Sequence, residues 1–277
     1  MATTRKPTTS TRKTSDEAGA FVRDSASNRS LERGLRVLRA FRPGTACLTT
    51  TDVAERTDLP LPTVSRLLAT LVRSGFLAYD FGTRAYALGV PLLSLAHAYT
   101  EGSALLTTAL PLMTALAHSQ RVNVGLATED MGEVVYLQSV RGNRGGALRH
   151  IVPGSRAPLE LTAIGRAWLS AAPSAQRDAA LAPIARRYGK KWPPVLAAIR
   201  DSALQLQAQG YCVSRWQAGS VGIARPLRAL NGHVHAVNIT FLESTRSALF
   251  LREQAVRLTA MAERIDAALQ GVGRRDV

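Results

Sequence analysis

Thr63, Ser65 and Arg66 are polar and basic side chains within one short run of residues, and their chemistry suits contact with nucleic-acid bases. An arginine guanidinium can donate two hydrogen bonds to guanine, and a hydroxyl group can bond to several bases. Apolar residues recur in the same run at the spacing of one helix face, namely Val64, Leu67, Leu68 and Leu71. The run therefore predicts a helix that buries one side and leaves the polar groups outside.

Two helices before this run and a hairpin after it complete the pattern. Apolar residues recur at helical spacing from Ser30, a good N-cap, to Phe41, and residues 49–51 are threonines that can cap a short second helix. Extended runs at 76–79 and 84–88 flank a turn. This order predicts a winged helix–turn–helix over residues 29–90, although similar modules also dock proteins. We expect base contacts from the third helix and backbone contacts from the second helix and the wing, made by Thr50, Thr51, Pro62, Thr63, Ser65, Arg66 and Arg84.

The sequence lacks the common signatures of catalysis. It contains no Gly-rich nucleotide loop, no H-E-x-x-H and no G-x-S-x-G. Cys212 has no base near it in sequence, which favours a buried thiol over a nucleophile. His233 and His235 alternate along a strand and could hold a metal, but exposed strand residues are the favoured interpretation because no carboxylate or thiol is placed beside them. We expect no cofactor and no catalysis; the rival class is an enzyme that uses groups such as Glu160 and Cys212.

Beyond residue 90 the periodicity indicates a linker helix and then a mixed domain. The apolar helix at 91–103 is too hydrophobic to stand alone in water, which favours a dimer interface. Hairpin-joined strands separated by helices favour an antiparallel sheet with packed helices, an α+β domain over 104–277. Strands are predicted at 122–127, 133–139, 148–152, 211–216, 221–227 and 233–242, and helices at 104–119, 162–171, 174–187, 194–209 and 249–269.

Composition narrows the class of protein further. The 277 residues are 46% hydrophobic, enough to bury cores, and contain no membrane-length apolar run and no secretory signal. Two cysteines fit a reducing cytoplasm. The net charge of +15 makes a polyanionic partner plausible. Nearly all the basic residues are arginine, which suits phosphate or guanine contacts but is explained equally well by genomic base composition. Residues 1–28 predict a flexible basic tail that either contacts DNA or only keeps the protein soluble.

Several motifs resemble one protein family in order and spacing. Residues 30–35 (SLERGL), 61–71 (LPTVSRLLATL) and the pattern D-x-x-T-x-x-Y-x-L-G at 80–89 resemble the DNA-binding domain of IclR-type bacterial transcriptional regulators. Residues 154–158 (GSRAP) and 162–167 (TAIGRA) resemble the start of that family's effector domain, and 210–226 resemble its later half. The resemblance covers about residues 30–270.

The resemblance implies a GAF-like effector-binding domain, a dimer joined through the linker helix, and pairing of dimers into tetramers. It also implies that the effector binds between the sheet and the loops and helix start that cover the sheet. The edges of this binding site are then the start of the helix near Ala163 and residues 214–216. The implied effector-binding residues are Ala163, Ile164, Ser214, Trp216, Gly222, Asn238 and Thr240. The chain departs from the family in a segment about two residues short between Tyr211 and Gly219, and in the residues at Glu160, Gly222 and Phe241.

The implied floor residues have a geometry that suits a ligand. Asn238 and Thr240 lie two apart on a predicted strand, so their side chains face the same side and can hydrogen-bond a polar head. The alternative is that both face solvent. We expect Ile164 and Trp216 to cover the apolar body of the ligand. Either Arg215 or Arg225 would supply the charge that pairs with its anionic group. We therefore expect a cytoplasmic DNA-binding regulator that responds to a small organic effector, most simply a carboxylate.

Overall fold

The computed structural model describes residues 28–142, 150–228, 232–243 and 247–272, with side chains to residue 270. The predicted basic tail therefore lies outside the described residues. The chain begins with a winged helix–turn–helix, whose elements are α1 Arg29–Arg39, α2 Thr50–Thr57, α3 Leu61–Arg73, β1 Leu77–Asp80 and β2 Ala85–Leu88.

Local caps fix the three helices of this unit. Asn28, not the expected Ser30, caps α1, because its side chain accepts hydrogen bonds from the backbone amides of residues 30 and 31. Thr49 and Asp52 form a capping box at the start of α2, and Pro62 lies in the first turn of α3. The apolar faces of the helices meet in a small core that includes Val37, Val53, Val64, Leu68 and Leu77.

Two helices connect this unit to the rest of the chain. The linker helix α4, Pro91–Glu101, has no buried residue in the single chain, and Leu93, Leu95 and Tyr99 are exposed. The next helix, α5 Ala104–Gln120, continues through Pro111 without ending there. Within the described residues no helix is long and apolar enough to span a membrane.

The second unit is a six-stranded antiparallel sheet in the order β5-β4-β3-β8-β7-β6. Its strands are β3 Asn123–Asp130, β4 Glu133–Arg141, β5 Arg156–Pro158, β6 Cys212–Ser214, β7 Ser220–Pro226 and β8 Ala236–Leu242.

Several strand boundaries differ from the prediction; β3 and β4, for example, end at 130 and 141, beyond the expected 127 and 139. The strand expected at 148–152 is wrong, because the described residues 150–152 form no strand and lead into a turn at Gly154. The pairing strand begins later, at β5. The edge strand β6 stops before 215, and β8 begins three residues after 233. Residues 229–231, which include the asparagine of the predicted Asn-Gly turn, lie outside the described residues.

Helices cover both faces of the sheet. They are α6 Ala163–Ala171, α7 Ser174–Tyr188, α8 Trp192–Gln209 and α9 Ala248–Val272, with a short 3₁₀ turn before α8. One face packs against α5 and α9 through apolar residues such as Val124, Ile223 and Ile239. The other face packs against α6, α7 and α8, and the polar residues discussed below lie on it. The α+β fold class is therefore confirmed.

Candidate nucleic-acid interface and ligand cavity

The outer face of α3 is exposed and polar. Pro62, Ser65 and Arg66 are exposed and Thr63 is half-buried, while Val64 between them is fully buried. Arg66 makes no ion pair with any residue that the structure describes, so its guanidinium remains available to a partner. The helix thus presents the predicted residues on one side, as the spacing requires.

The wing and the start of α2 flank this face. Leu48, just before α2, exchanges two backbone hydrogen bonds with Tyr86 of β2, at 2.9 and 2.8 Å, which ties the wing to the helix–turn–helix. Hydrogen bonds from Thr83 and Gly82 lower the pKa of Asp80 and order the wing turn. Arg84 in this turn is exposed, Thr51 is exposed and Thr50 is half-buried.

Residues of five neighbouring strands form a polar floor on the α6 side of the sheet. The strand register places Arg141, Asn123, Thr240, Gly222 and Ser214 in one cross-strand row. A second row contains Ser139, Gly125, Asn238, Ala224 and Cys212. Directly opposed residues share a face, so the rows bring polar groups from distant parts of the chain together.

A cavity of about 60 Å³ lies over this floor. Asn238 is 5% exposed, and its Nδ2 donates to Thr240 Oγ1 at 3.0 Å, so the two residues do not face solvent. The Oδ1 atoms of Asn238 and Asn123 are buried without a hydrogen-bond partner among the described residues. A buried acceptor without a partner is costly, so hydrogen-bond donors of a ligand in the cavity would stabilise these two groups.

Gly125 keeps the cavity open. A Cβ at this position would lie 2.5 Å from Asn238 Oδ1 and 2.7 Å from Tyr136 Cε1, too close for either group. The rims of the cavity are formed by the start of α6 and by the loops that lie over the floor. At the start of α6, Thr162 Oγ1 accepts a hydrogen bond from the Gly165 amide at 3.1 Å. The rim residues are Ile151, Thr162, Ala163, Trp216 and Gln217.

The structure brings together five of the seven expected effector residues, namely Ala163, Trp216, Gly222, Asn238 and Thr240. Ile164 does not line the cavity, because it points into the core on α6 and is 2% exposed. Ser214 does not line it either, because its hydroxyl donates to the Leu161 carbonyl at 2.6 Å.

The charged groups at the cavity are not those that the sequence suggested. Arg215 pairs with Glu243 at 2.6 Å and Arg225 approaches Glu263 at 3.6 Å, and neither lines the cavity. Sequence reasoning missed the lining residues of the neighbouring strands and loop, because only the strand register places them there. They are Asn123, Val124, Gly125, Tyr136, Ser139, Arg141, His150, Ile151, Ala157, Thr162, Gln217 and Ser220.

The candidate catalytic groups lie outside the cavity lining. Burial raises the pKa of Cys212 to about 12, and its thiol contacts the Ala163 carbonyl at 3.4 Å. Glu160 is buried and accepts hydrogen bonds from Arg187 at 3.2 Å and Tyr188 at 3.0 Å. These environments suit structural groups.

The two histidines differ from each other. His233 is exposed, as expected, but His235 is half-buried. Burial, with a smaller effect from His233, lowers the pKa of His235 to about 4. No group of three or more potential metal ligands occurs in the parts of the chain that the structure describes.

A winged helix with an exposed basic recognition helix, joined to a sheet domain with a polar cavity, defines a ligand-responsive DNA-binding protein. Residues 30–80 match the model of the IclR helix-turn-helix domain, and residues 97–267 match that of the bacterial transcriptional regulator IclR C-terminal domain. The chain belongs to the IclR family of bacterial transcriptional regulators. It therefore has a helix–turn–helix DNA-binding domain and an effector-binding C-terminal domain.

Individual relatives agree with this assignment. The HTH-type transcriptional regulator TsaQ1/TsaQ2 of Comamonas testosteroni is 31% identical over 194 residues, 69% of this chain and 68% of the relative. The crystal structure of an IclR family transcriptional regulator from Brucella abortus is 33% identical, with a TM-score of 0.79 over 91% of this chain and 96% of that one. An IclR homologue from Microbacterium hydrocarbonoxydans, complexed with 4-hydroxybenzoate, has the same fold at 24% identity, with a TM-score of 0.67 over 87% of this chain and 99% of that one.

Proposed function

We propose that α3 reads an operator in the major groove of DNA, with Thr63, Ser65 and Arg66 at base edges. Pro62 at the start of α3 lies close to the groove. The observation that carries this proposal is the exposed outer face of α3, on which Arg66 has no ion-pair partner among the described residues. In helix–turn–helix proteins the residues near the start of the recognition helix, which is α3 in this chain, contact base edges.

In the same proposal Thr50 or Thr51 and the wing residue Arg84 contact the phosphate backbone. Their positions at the N-terminus of α2 and in the wing support this role, because a helix N-terminus attracts phosphate. Such contacts hold the protein in register without reading sequence. DNA-binding, linker and effector domains are assigned to residues 29–90, 91–103 and 104–277.

The effector is a small organic molecule with a carboxylate and a hydroxyl group on an apolar or aromatic body. The unpartnered Oδ1 atoms of Asn238 and Asn123 call for a donor such as a hydroxyl. Arg141 at the cavity carries a positive charge that attracts an anionic group, His150 can hydrogen-bond it, and Trp216 offers apolar surface. The relative that binds 4-hydroxybenzoate supports this chemistry, since that molecule carries both groups on one ring.

Assembly follows from α4. Its exposed apolar residues, Leu93, Leu95 and Tyr99, would be buried in a symmetric dimer. That dimer would present two recognition helices to a pseudo-palindromic DNA site. Such dimers would pair into tetramers. The protein acts in the cytoplasm and without catalysis. The structural environments of Cys212 and Glu160 support the second point.

A mobility shift on the promoter next to the protein's own gene tests this function. The parent is expected to bind that promoter specifically and to change its affinity with 4-hydroxybenzoate or a related hydroxy acid. Arg66→Ala should have a smaller preference than the parent for that promoter over an unrelated duplex of equal length. Equal binding of both duplexes by the parent would contradict the proposed function.

A further inference from the structure

An ion-pair cluster joins the winged helix to the effector domain. Arg39, at the end of α1, donates to both carboxylate oxygens of Asp130, at 2.9 and 2.7 Å. Arg42 pairs with Glu133 at 3.1 Å. Arg156 of β5 bonds to the same two carboxylates, to Glu133 at 3.1 Å and to Asp130. Two arginines of one domain and one arginine of the other therefore share two carboxylates.

The carboxylates are held on a stiff support. Asp130 ends β3 and Glu133 begins β4, directly opposite in the ladder. The two residues between them, Met131 and Gly132, have φ values of 55° and 78°, as in the tight turns that suit β-hairpins. The Gly132 amide also donates to Glu129 at 2.6 Å. The carboxylates must therefore move with the two strands.

The local environment favours charged pairs. Burial raises the pKa of Asp130, but hydrogen bonds from Arg39 and Arg156 outweigh this effect and hold the pKa below its usual value. The side chains of Arg156, Asp130 and Glu133 are only 21%, 31% and 28% exposed. Partial burial reduces screening by solvent at Arg156 and the two carboxylates, whereas the side chains of Arg39 and Arg42 are 50% and 54% exposed. The interdomain pairs are therefore the weaker ones and can be released without breaking the pairs within the effector domain.

The cluster is connected to the cavity wall through β5. Arg156 is adjacent to Ala157, which lines the cavity. Backbone hydrogen bonds of 2.9 and 2.8 Å join Tyr136, another lining residue, to positions 154–155, just before β5 and in the segment that contains the lining residues His150 and Ile151. A ligand that shifts the backbone of Tyr136 or of residues 154–155 therefore acts directly on the strand end that carries Arg156.

We propose that this cluster is an interdomain latch through which the state of the cavity controls the orientation of the DNA-binding domain. The proposal rests on the proposed effector cavity. In the engaged state of the latch, Asp130 and Glu133 form ion pairs with Arg39 and Arg42. In the released state, a shift of Arg156 moves the two carboxylates and breaks these ion pairs. A ligand shifts the balance because it binds the two states with different affinity.

The variant Asp130→Asn, Glu133→Gln removes both shared charges without changing side-chain size. Its matched control is Asp178→Asn, Glu263→Gln, which changes the net charge equally, while the pairs it breaks lie within the effector domain. Equal net charge matters because nonspecific DNA affinity depends on it.

Spin labels report the latch directly. Cys47 is exposed in the winged helix, while Cys212 is buried, so a label on Cys47 and one on Gln176→Cys in α7 span the two domains. With labelled chains diluted in unlabelled ones, double electron–electron resonance should give a narrow distance distribution for the parent and the control, and a broad one for the latch variant. An equally narrow distribution in the latch variant overturns the proposal, whatever any ligand does.

The second measurement uses 4-hydroxybenzoate as the probe, on the promoter described above. The parent's operator affinity should change by about 5- to 150-fold, the usual range of allosteric coupling, and that of the latch variant by less than about twofold. Both should keep the probe's melting shift. A variant that keeps the parent's full operator response refutes the coupling. If the probe does not shift the parent's melting temperature, the proposed effector chemistry fails, and the spin-label distances alone decide on the latch.

Discussion

The double variant Asn238→Leu, Thr240→Val tests the floor of the effector cavity. Among the described residues, Asn238 Oδ1 is buried without a hydrogen-bond partner and its Nδ2 donates to Thr240, so the pair has hydrogen-bonding capacity left for a ligand. Loss of two ligand hydrogen bonds, with the ligand's polar group left unsatisfied, should cost about 2 to 3 kcal/mol of binding, about 30- to 150-fold in affinity.

Thermal unfolding with and without 4-hydroxybenzoate measures this loss. A ligand at about 100 times the parent's Kd stabilises the folded state by about 2.7 kcal/mol, and the same concentration stabilises a variant with 100-fold weaker affinity by about 0.4 kcal/mol. For a domain of this size these energies correspond to shifts of about 5 to 11 °C and about 1 to 2 °C. Thr107→Val, which removes an exposed hydroxyl from α5, should shift as the parent does.

The ligand-free variant separates a binding role from a structural one. Leucine at 238 removes an unsatisfied buried acceptor, so the melting temperature without ligand should equal or exceed that of the parent. A variant that keeps the parent's full ligand shift refutes the assignment of the floor. A variant that melts well below the parent without ligand shows instead that Asn238 and Thr240 serve folding.

Three further predictions concern the DNA-binding face, the linker and the cavity. Arg66→Ala should lose about 1 to 3 kcal/mol of operator binding and relax specificity. Arg84→Ala should instead weaken the binding of all duplexes alike. Titrations of both variants against operator and random DNA measure the difference. Leu95→Glu should yield monomers by light scattering at micromolar concentration, because it places a charge in the proposed dimer contact; an unchanged mass would exclude α4 from that contact. Gly125→Ala should lower stability by about 1 to 3 kcal/mol and abolish the ligand shift, because its Cβ would lie 2.5 Å from Asn238 Oδ1. Gly222→Ala should fold as the parent does, since its Cβ meets only ordinary contacts from 3.4 Å outwards.

The sequence sufficed where local periodicity determines structure. The stripe from Val64 to Leu71 predicted both the helix α3 and its exposed side, because 3.6-residue spacing alone separates the two faces. The alternation of Asn238 and Thr240 similarly placed both on one face of β8, although which face met the ligand depended on the register of neighbouring strands.

The sequence did not suffice where contacts join distant parts of the chain. Arg141 reaches the cavity because it lies opposite Asn123, and no local pattern reveals that pairing. From the sequence, Arg215 and Arg225 are equally suitable as the charge partner of an effector. In the structure each forms an ion pair with a glutamate instead. The strand expected at 148–152 failed because residues before Gly154 turn instead of pairing, and the sheet takes up Arg156–Pro158.

The division of the sheet into two chemically different faces has a consequence for how such a sensor can acquire new specificity. The face against α5 and α9 is apolar and closely packed, while the opposite face carries the polar cavity-lining residues Asn123, Asn238 and Thr240. Since alternate residues of one strand serve these separate purposes, a library restricted to these cavity-lining positions leaves the apolar core against α5 and α9 unchanged. Reprogramming this protein into a reporter for another metabolite therefore begins with those positions.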